Sequence, residues 1–107
     1  MAFYLVTAEP IKERLNELKE KLQQKDFISL RPFGNTLHQS LLHARRTSDG
    51  GAAWEEEDYC SPPLAQEREA VLDRYFKDIE VNQVQQGEGW EQLKSQPYLF
   101  PHLVKGK

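Results

Sequence analysis

The spacing of apolar residues near the N-terminus constrains the fold of this chain more than any other feature. Four of them recur at intervals of four, three and four residues in a segment that is otherwise charged: Ile11, Leu15, Leu18 and Leu22. This spacing places the four side chains on one face of a helix. Pro10 suits the first turn, because it has no N–H group to leave unpaired there. The pattern predicts a helix over roughly 10–24 whose apolar face must be covered by another element.

Four stretches have the composition of strands. Residues 3–8 (FYLVTA) are rich in β-branched and aromatic residues, and they predict a buried strand. Residues 27–33 (FISLRPF) alternate apolar and polar side chains until Pro32, and they predict a second strand. Residues 52–56 predict a short third strand, and the alternation over 78–84 predicts a fourth.

Two further helices are predicted between these strands. Asn35 follows a glycine and is a favourable N-cap for a helix over about 36–46. Ser61 is expected to cap the other helix, with Pro62 at its first position. The apolar stripe of this last helix consists of Leu64, Val71, Leu72, Tyr75 and Phe76.

The order of these elements resembles the β-α-β-β-α-β pattern of ferredoxin-like sandwiches, with an extra helix between strands 2 and 3. The resemblance implies a single α+β domain over residues 1–86, in which amphipathic helices cover one face of a four-stranded sheet. It implies no function, because such a fold serves many. Residues 87–107 form an apolar C-terminal tail, which we expect to dock on the domain or on a second subunit.

The composition excludes several classes of protein. The net charge of −3 argues against a nucleic-acid-binding protein, which would normally carry a basic patch. No apolar stretch approaches the ~20 residues needed to span a bilayer, so no membrane partner is expected. The one cysteine, Cys60, excludes an intramolecular disulfide and fits a reducing compartment. Together these features predict a cytoplasmic protein.

Candidate catalytic residues are few. Cys60 precedes a predicted helix, whose dipole favours the thiolate, whereas the four acids before it oppose the thiolate. An enzyme would use Cys60 or Glu57 as the reacting group and His38 as the acid–base. His38 and His43 are five residues apart, about 140° around a helix, so they would not share one metal.

Four consecutive acids follow Trp54: Glu55, Glu56, Glu57 and Asp58. On a strand, Glu56 and Asp58 would face one side, and Glu55 and Glu57 the other. A helical turn over 52–60 is the alternative, because Ala and Glu are good helix formers. Adjacent side chains diverge, and the chain has no D-x-D-x-D-G loop or H-E-x-x-H motif, so we predict no metal site and no cofactor.

An anion site is the strongest candidate for a ligand. The segment from Arg31 to Thr36 runs from a predicted strand end into a predicted helix start, where free N–H groups and the helix dipole favour an anion. Arg31, Asn35 and Thr36 would hold this ligand. Arg45 and Arg46 would add positive charge if the helix folds back, or they would pair with the acidic run.

These residues predict a non-catalytic binding or regulatory module that contacts a protein partner or a small anionic ligand. The alternative is a small enzyme with a cleft at Cys60, residues 55–58 and His38. The open face of the sheet predicts a homodimer, since large aromatic residues provide most of the burial at interfaces. The residues expected at a partner surface are Trp54, Glu55, Glu56, Asp58, Trp90, Tyr98 and Phe100.

Overall fold

Four antiparallel strands form one sheet in the computed structural model, which describes residues 2–105. The strands are β1 (Ala2–Pro10), β2 (Arg45–Arg46), β3 (Ala52–Asp58) and β4 (Phe76–Val84). Their spatial order is β2-β3-β1-β4, so the two central strands are β3 and β1. The chain is thus an α+β domain built on a four-stranded antiparallel sheet.

The register of the sheet defines its two faces. Val6 pairs with Trp54 on one side and with Val81 on the other. Val6 and Trp54 are fully buried under the helices. Because side chains alternate along a strand, Leu5 and its partner Glu55 lie on the opposite face.

The helices are short. The 3₁₀ turn Lys12–Arg14 leads into α1 (Leu15–Gln23), and α2 (Gly34–Leu42) follows before β2. Between β3 and β4 a continuous helix consists of α3 (Ala65–Glu67), a π-helical segment (Arg68–Leu72) and α4 (Asp73–Tyr75). We refer to this composite as the 65–75 helix. After β4 come α5 (Glu88–Leu93) and α6 (Pro101–Lys105).

One hydrophobic core joins these helices to the inner face of the sheet. Its largest side chain is Trp54, whose ring centroid lies 5.1 Å from that of Phe76. The helices contribute Leu18, Leu22, Leu37, Leu41, Val71, Leu72 and Tyr75. At about 25 cal/mol per Å² of apolar surface, burial of these side chains is the main force that holds the elements together.

Several elements predicted from the sequence are confirmed. The first helix forms, with Leu18 and Leu22 buried, although Pro10 ends β1 instead of starting the helix. The strand predicted over 52–56 continues to Asp58, which rules out the helical turn. The strands predicted over 3–8 and 78–84 also form, each with a few more residues than expected.

The second strand predicted over 27–33 is wrong. This segment is a series of turns, in which the N–H of Leu30 donates to the carbonyl of Phe27 and the N–H of Gly34 to that of Leu30. A Cβ atom on Gly34 would lie 2.1 Å from the carbonyl oxygen of Phe27. Backbone groups used in these local turns are not available to a ladder, and Pro32 has no N–H group to donate.

The second strand is instead the two-residue β2, which pairs with Ala52 and Ala53. The helix predicted over 36–46 therefore ends at Leu42, because the backbone of the following residues bonds to the tail and to β3. As a consequence, the extra helix lies between strands 1 and 2, and its predicted place between strands 2 and 3 is wrong.

Both predicted helix caps are also wrong. Phe33 is the N-cap of α2, and Asn35 lies inside the helix without a capping hydrogen bond. Leu64, in the left-handed region at φ 63°, precedes α3 in the place expected for Ser61. Its N–H donates to the Asp58 carboxylate, which stabilises the start of the helix in place of a serine.

The tail packs against β2 and the core. The N–H of Arg46 donates to the Pro97 carbonyl at 2.8 Å, and the N–H of Leu99 donates to the Ala44 carbonyl at 2.8 Å. Leu99 and Phe100 are buried in the same core as Trp54. Within residues 2–105, no helix is long and apolar enough to cross a bilayer.

Candidate functional site

A groove of about 350 Å³ lies between the C-terminal end of α2 and the tail, and we call it the tail groove. Its lining residues are Gln39, Ser40, His43, Arg45, Trp90 and Tyr98. The structure thus brings together Arg45, predicted to hold a ligand, with Trp90 and Tyr98, predicted to meet a partner. The volume is at the lower end of the range for small-molecule sites.

The Arg45 guanidinium stacks on the wall of this groove. Its Cζ lies 4.0 Å from the centroid of the Tyr98 ring, a cation–π distance. Nη1 donates to the carbonyls of Gln96 at 2.5 Å and Lys94 at 3.4 Å. Nε is buried without an acceptor, and among the described residues no carboxylate lies within 4 Å of the guanidinium. The groove therefore has a positive charge that forms no salt bridge with residues 2–105.

Glu55 fixes the position of Trp90 in the groove. Its carboxylate accepts hydrogen bonds from the N–H groups of Gly87 at 2.8 Å, Gly89 at 2.7 Å and Trp90 at 3.3 Å. These are free donors at the start of α5, and a carboxylate there is favoured by both hydrogen bonding and the helix dipole. The carbonyl of Glu55 accepts from Ser40 Oγ at 2.9 Å, which ties α2 to the same strand.

A second cluster lies on the inner face of the sheet. Glu56 and Asp58 project from β3 on the same face as Trp54, and Glu67 approaches from the 65–75 helix. These three residues are at most 5% exposed. Donor atoms of Asp58, Cys60 and Glu67 all lie within 4.8 Å of one another. We call the four residues Glu56, Asp58, Cys60 and Glu67 the carboxylate cluster.

The carboxylates of this cluster perturb one another. Burial, together with the charges of Glu67 and Asp58, raises the pKa of Glu56 well above its usual value. The hydrogen bond from Trp54 Nε1 at 2.9 Å lowers this pKa but does not offset the effect of burial. Burial and the hydrogen bond to Asp58 raise the pKa of Glu67 to about 7. Burial opposes ionisation of Asp58 also, but hydrogen bonds from Glu67 and from the backbone hold its pKa below the usual value. The ionised form is thus favoured at Asp58, whereas burial favours the protonated forms of Glu56 and Glu67.

The anion site predicted from the sequence is not assembled. Arg31 precedes α2, with Asn35 and Thr36 in its first turn, whereas Arg45 and Arg46 follow its other end. A nine-residue helix is about 13 Å long, which separates the two groups. Arg46 lines a different groove, of about 860 Å³, beside Glu9, Asp49 and Asp78.

The catalytic set predicted from the sequence is also dispersed. Cys60 lies beside Asp58 and Glu67, but Glu57 is on the opposite face of β3, opposite Phe3. His38 is buried in α2, and its pKa is lowered by burial and then by the charges of Lys25 and His43. The donor atoms that converge among the described residues are those of Asp58, Cys60 and Glu67, and His38 is not among them.

Most of the partner surface predicted from the sequence is buried within the chain, so the expected exposure is wrong. The buried members are Trp54, Glu55, Glu56, Asp58 and Phe100. The acids are buried because each has a partner inside the fold: backbone N–H groups for Glu55 and Asp58, and the indole N–H for Glu56. Trp90 and Tyr98 remain half-exposed in the tail groove.

Glu67 was not predicted as a site residue. A signal for it exists in the sequence, because Glu67 is three residues after Leu64 and four before Val71, on the apolar face of its helix. An acid at such a position indicates a buried polar contact.

Comparisons with family models, curated proteins and solved structures found no match to this chain.

Proposed function

We propose that this chain is a small non-catalytic binding module that holds a small anionic ligand in the tail groove. The observation that carries the proposal is the Arg45 guanidinium, a cation without a carboxylate partner in residues 2–105, beside the half-exposed Trp90 and Tyr98. A charge in a partly desolvated site interacts strongly with an anion, since little water competes.

The lining favours a planar carboxylate. Tyr98 and Trp90 offer apolar ring surface, and His43 lies edge-on to Tyr98 with 6.5 Å between the ring centroids. Guanidinium groups form charge-assisted hydrogen bonds with carboxylates, which are stronger than those between neutral groups. A ligand with a flat apolar body and one carboxylate matches both features. A carboxylate side chain of a protein partner, next to an apolar group, would bind in the same way.

The fold we propose for this module is ferredoxin-like. The antiparallel order β2-β3-β1-β4 and the helical connections after β1 and β3 support it. The proposed location is cytoplasmic, as expected from the single cysteine. Association into a homodimer stays a prediction. The half-buried residues Phe3, Leu5 and Val84 support it, because they share the sheet face opposite Trp54.

The ligand class is tested with benzoate and its uncharged amide, benzamide. We expect benzoate to perturb the fluorescence of Trp90 and benzamide to leave it unchanged. Arg45→Gln should weaken benzoate binding by about tenfold or more. The matched control is Arg46→Gln, which removes an exposed neighbour that lines the other groove. Equal binding of the two probes, or equal loss in both variants, would contradict the proposal.

Native mass spectrometry of protein purified without added phosphate or metal tests whether the protein carries a bound anion and whether it forms a dimer. A bound organic anion in the wild-type protein that is absent from Arg45→Gln supports the module. A protein that is monomeric at micromolar concentration contradicts the dimer and leaves the ligand proposal untouched.

A further inference from the structure

We propose that the carboxylate cluster binds one divalent cation of the borderline class represented by Zn²⁺ and Co²⁺, with Asp58, Cys60 and Glu67 as its ligands and Glu56 beside them. This site is independent of the tail groove. The absence of a metal site was predicted from the run 55–58, where neighbouring side chains diverge, and from the lack of any known metal-ligand spacing in the sequence. Glu67, from a different element, changes that conclusion.

The spacing of the donor atoms fits such an ion. In a tetrahedral zinc site with bonds of 2.0–2.3 Å, the ligand atoms lie about 3.3–3.8 Å from one another. The donor atoms of Asp58, Cys60 and Glu67 are already within 4.8 Å of one another. A contraction of at most about 1–1.5 Å in any pair closes the site, which is within the range of side-chain rotation.

Unpartnered oxygens point to the cation independently of this spacing. Glu56 and Glu67 are each 1% exposed, and Oε1 of Glu56 accepts from Trp54. No N–H or hydroxyl donor of the described residues reaches Oε2 of Glu56 or Oε1 of Glu67, so these oxygens are satisfied either by a proton shared between the two adjoining carboxyl groups or by a cation. Within residues 2–105, no lysine, arginine or histidine nitrogen lies within 4 Å of Glu56, Asp58 or Glu67. Buried carboxylates without a protein cation are costly unless something else satisfies them.

The ligand types select the class of ion. Ca²⁺ and Mg²⁺ take oxygen ligands only, and Ca²⁺ needs six to eight of them. A set of one thiolate and two carboxylate groups, with a fourth position left for water, suits a four-coordinate borderline ion, which accepts both sulfur and oxygen.

The local backbone holds two of the ligands in place. Asp58 Oδ2 accepts hydrogen bonds from the N–H groups of Cys60 and Leu64, which fix the orientation of its carboxylate. Such supporting hydrogen bonds orient metal ligands and affect affinity strongly. Cys60 is only half-buried and follows the exposed Tyr59, so an ion can enter from the loop between β3 and the 65–75 helix.

The test is a titration of the full-length, reduced protein with Co²⁺, followed by competition with Zn²⁺. We expect one Co²⁺ per chain and a thiolate-to-cobalt charge-transfer band in the near ultraviolet, which Zn²⁺ abolishes. Because Cys60 is the only cysteine, that band reports this site alone. Cys60→Ser should remove the band and keep the fold, which circular dichroism verifies.

Two glutamates on one helix provide the matched comparison. Glu67→Gln should weaken Co²⁺ binding by about tenfold or more, whereas the exposed Glu69→Gln should change it by less than about twofold. Absence of Co²⁺ binding by the folded wild-type protein would overturn the proposal and leave a cluster that only shares protons. Binding without the charge-transfer band, or with equal effects of the two glutamine variants, would overturn it as well.

Discussion

Glu55 and Gly89 are in direct contact: the carboxylate Oε1 of Glu55 lies 2.7 Å from the backbone N of Gly89 and accepts its hydrogen bond. This contact joins the central strand β3 to the start of α5, and through α5 it positions Trp90 in the tail groove. An acid in the middle of a sheet thus helps to form the tail groove.

Glu55→Gln should destabilise the domain by about 1–3 kcal/mol, because a charged acceptor of three N–H groups becomes a neutral amide. Urea unfolding measures the loss. The control is Glu57→Gln, on the same face of the same strand, which should change stability by less than about 0.5 kcal/mol. Equal effects of the two substitutions would show that α5 does not depend on this carboxylate.

Gly89→Ala should also be destabilising. The added Cβ would lie 3.0 Å from both Cβ and Oε1 of Glu55, a distance at which one of the groups must move. We expect a loss of about 1–3 kcal/mol in urea unfolding, together with weaker benzoate binding because Trp90 shifts. Unchanged stability would indicate that α5 moves away from β3 without cost.

Lys25→Gly should stabilise the domain. Lys25 is exposed at φ 60°, and it follows α1 in a Schellman motif, in which the N–H of Asp26 donates to the carbonyl of Lys21. Glycine adopts this left-handed conformation without the Cβ strain, so we expect a gain of about 1 kcal/mol. Glu20→Gly, in the exposed interior of the same helix, should instead cost about 1 kcal/mol. Urea unfolding should thus show a higher free energy of unfolding for Lys25→Gly and a lower one for Glu20→Gly.

His38 should make the stability depend on pH. Its pKa in the folded state is lowered by burial and by Lys25 and His43, whereas the unfolded value is 6.5. Below pH 6.5 the unfolded chain therefore binds more protons at His38 than the folded chain does. The stability that the neutral His38 contributes is present above pH 6.5 and is lost as the pH falls through the lowered pKa of the folded state.

Glu56 and Glu67, whose pKa values are raised in the folded state, act in the opposite direction, so the His38 contribution is measured as a difference between variants. Between about pH 7 and pH 5, the urea midpoint of His38→Leu should change more favourably as the pH falls than that of the wild type, whereas His102→Gln, in the exposed part of the tail, should follow the wild type. An identical pH profile in His38→Leu would assign the dependence to other groups.

Local patterns were sufficient to predict the elements in which apolar residues recur with a clear period. The stripe that includes Leu18 and Leu22 predicted α1, and the alternation over 78–84 predicted β4. The two-residue β2 has no period to detect, because it exists only through its bonds to β3 and to the tail. Residues 27–33 alternate like a strand, but their backbone hydrogen bonds are local.

The candidate sites were predicted less well than the fold. Arg45, Trp90 and Tyr98 were each identified, but their meeting in one groove depends on the tail returning to β2. The carboxylate cluster depends on the packing of the 65–75 helix over β3, which brings Glu67 to Asp58. Contacts of this kind arise from tertiary packing, and the spacing of residues along the chain does not report them.

The central position of β1 has a consequence for how the domain folds. Both edges of this strand are paired, Val6 with Trp54 on one side and Val81 on the other, and both partners are distant in sequence. Two large loops must therefore close before the sheet is complete. Chains dominated by such distant pairings reach the native state in milliseconds to seconds, which is slower than helical bundles of similar size. Until β4 arrives, one edge of β1 is open to any other extended chain, so folding at low protein concentration should give the highest yield.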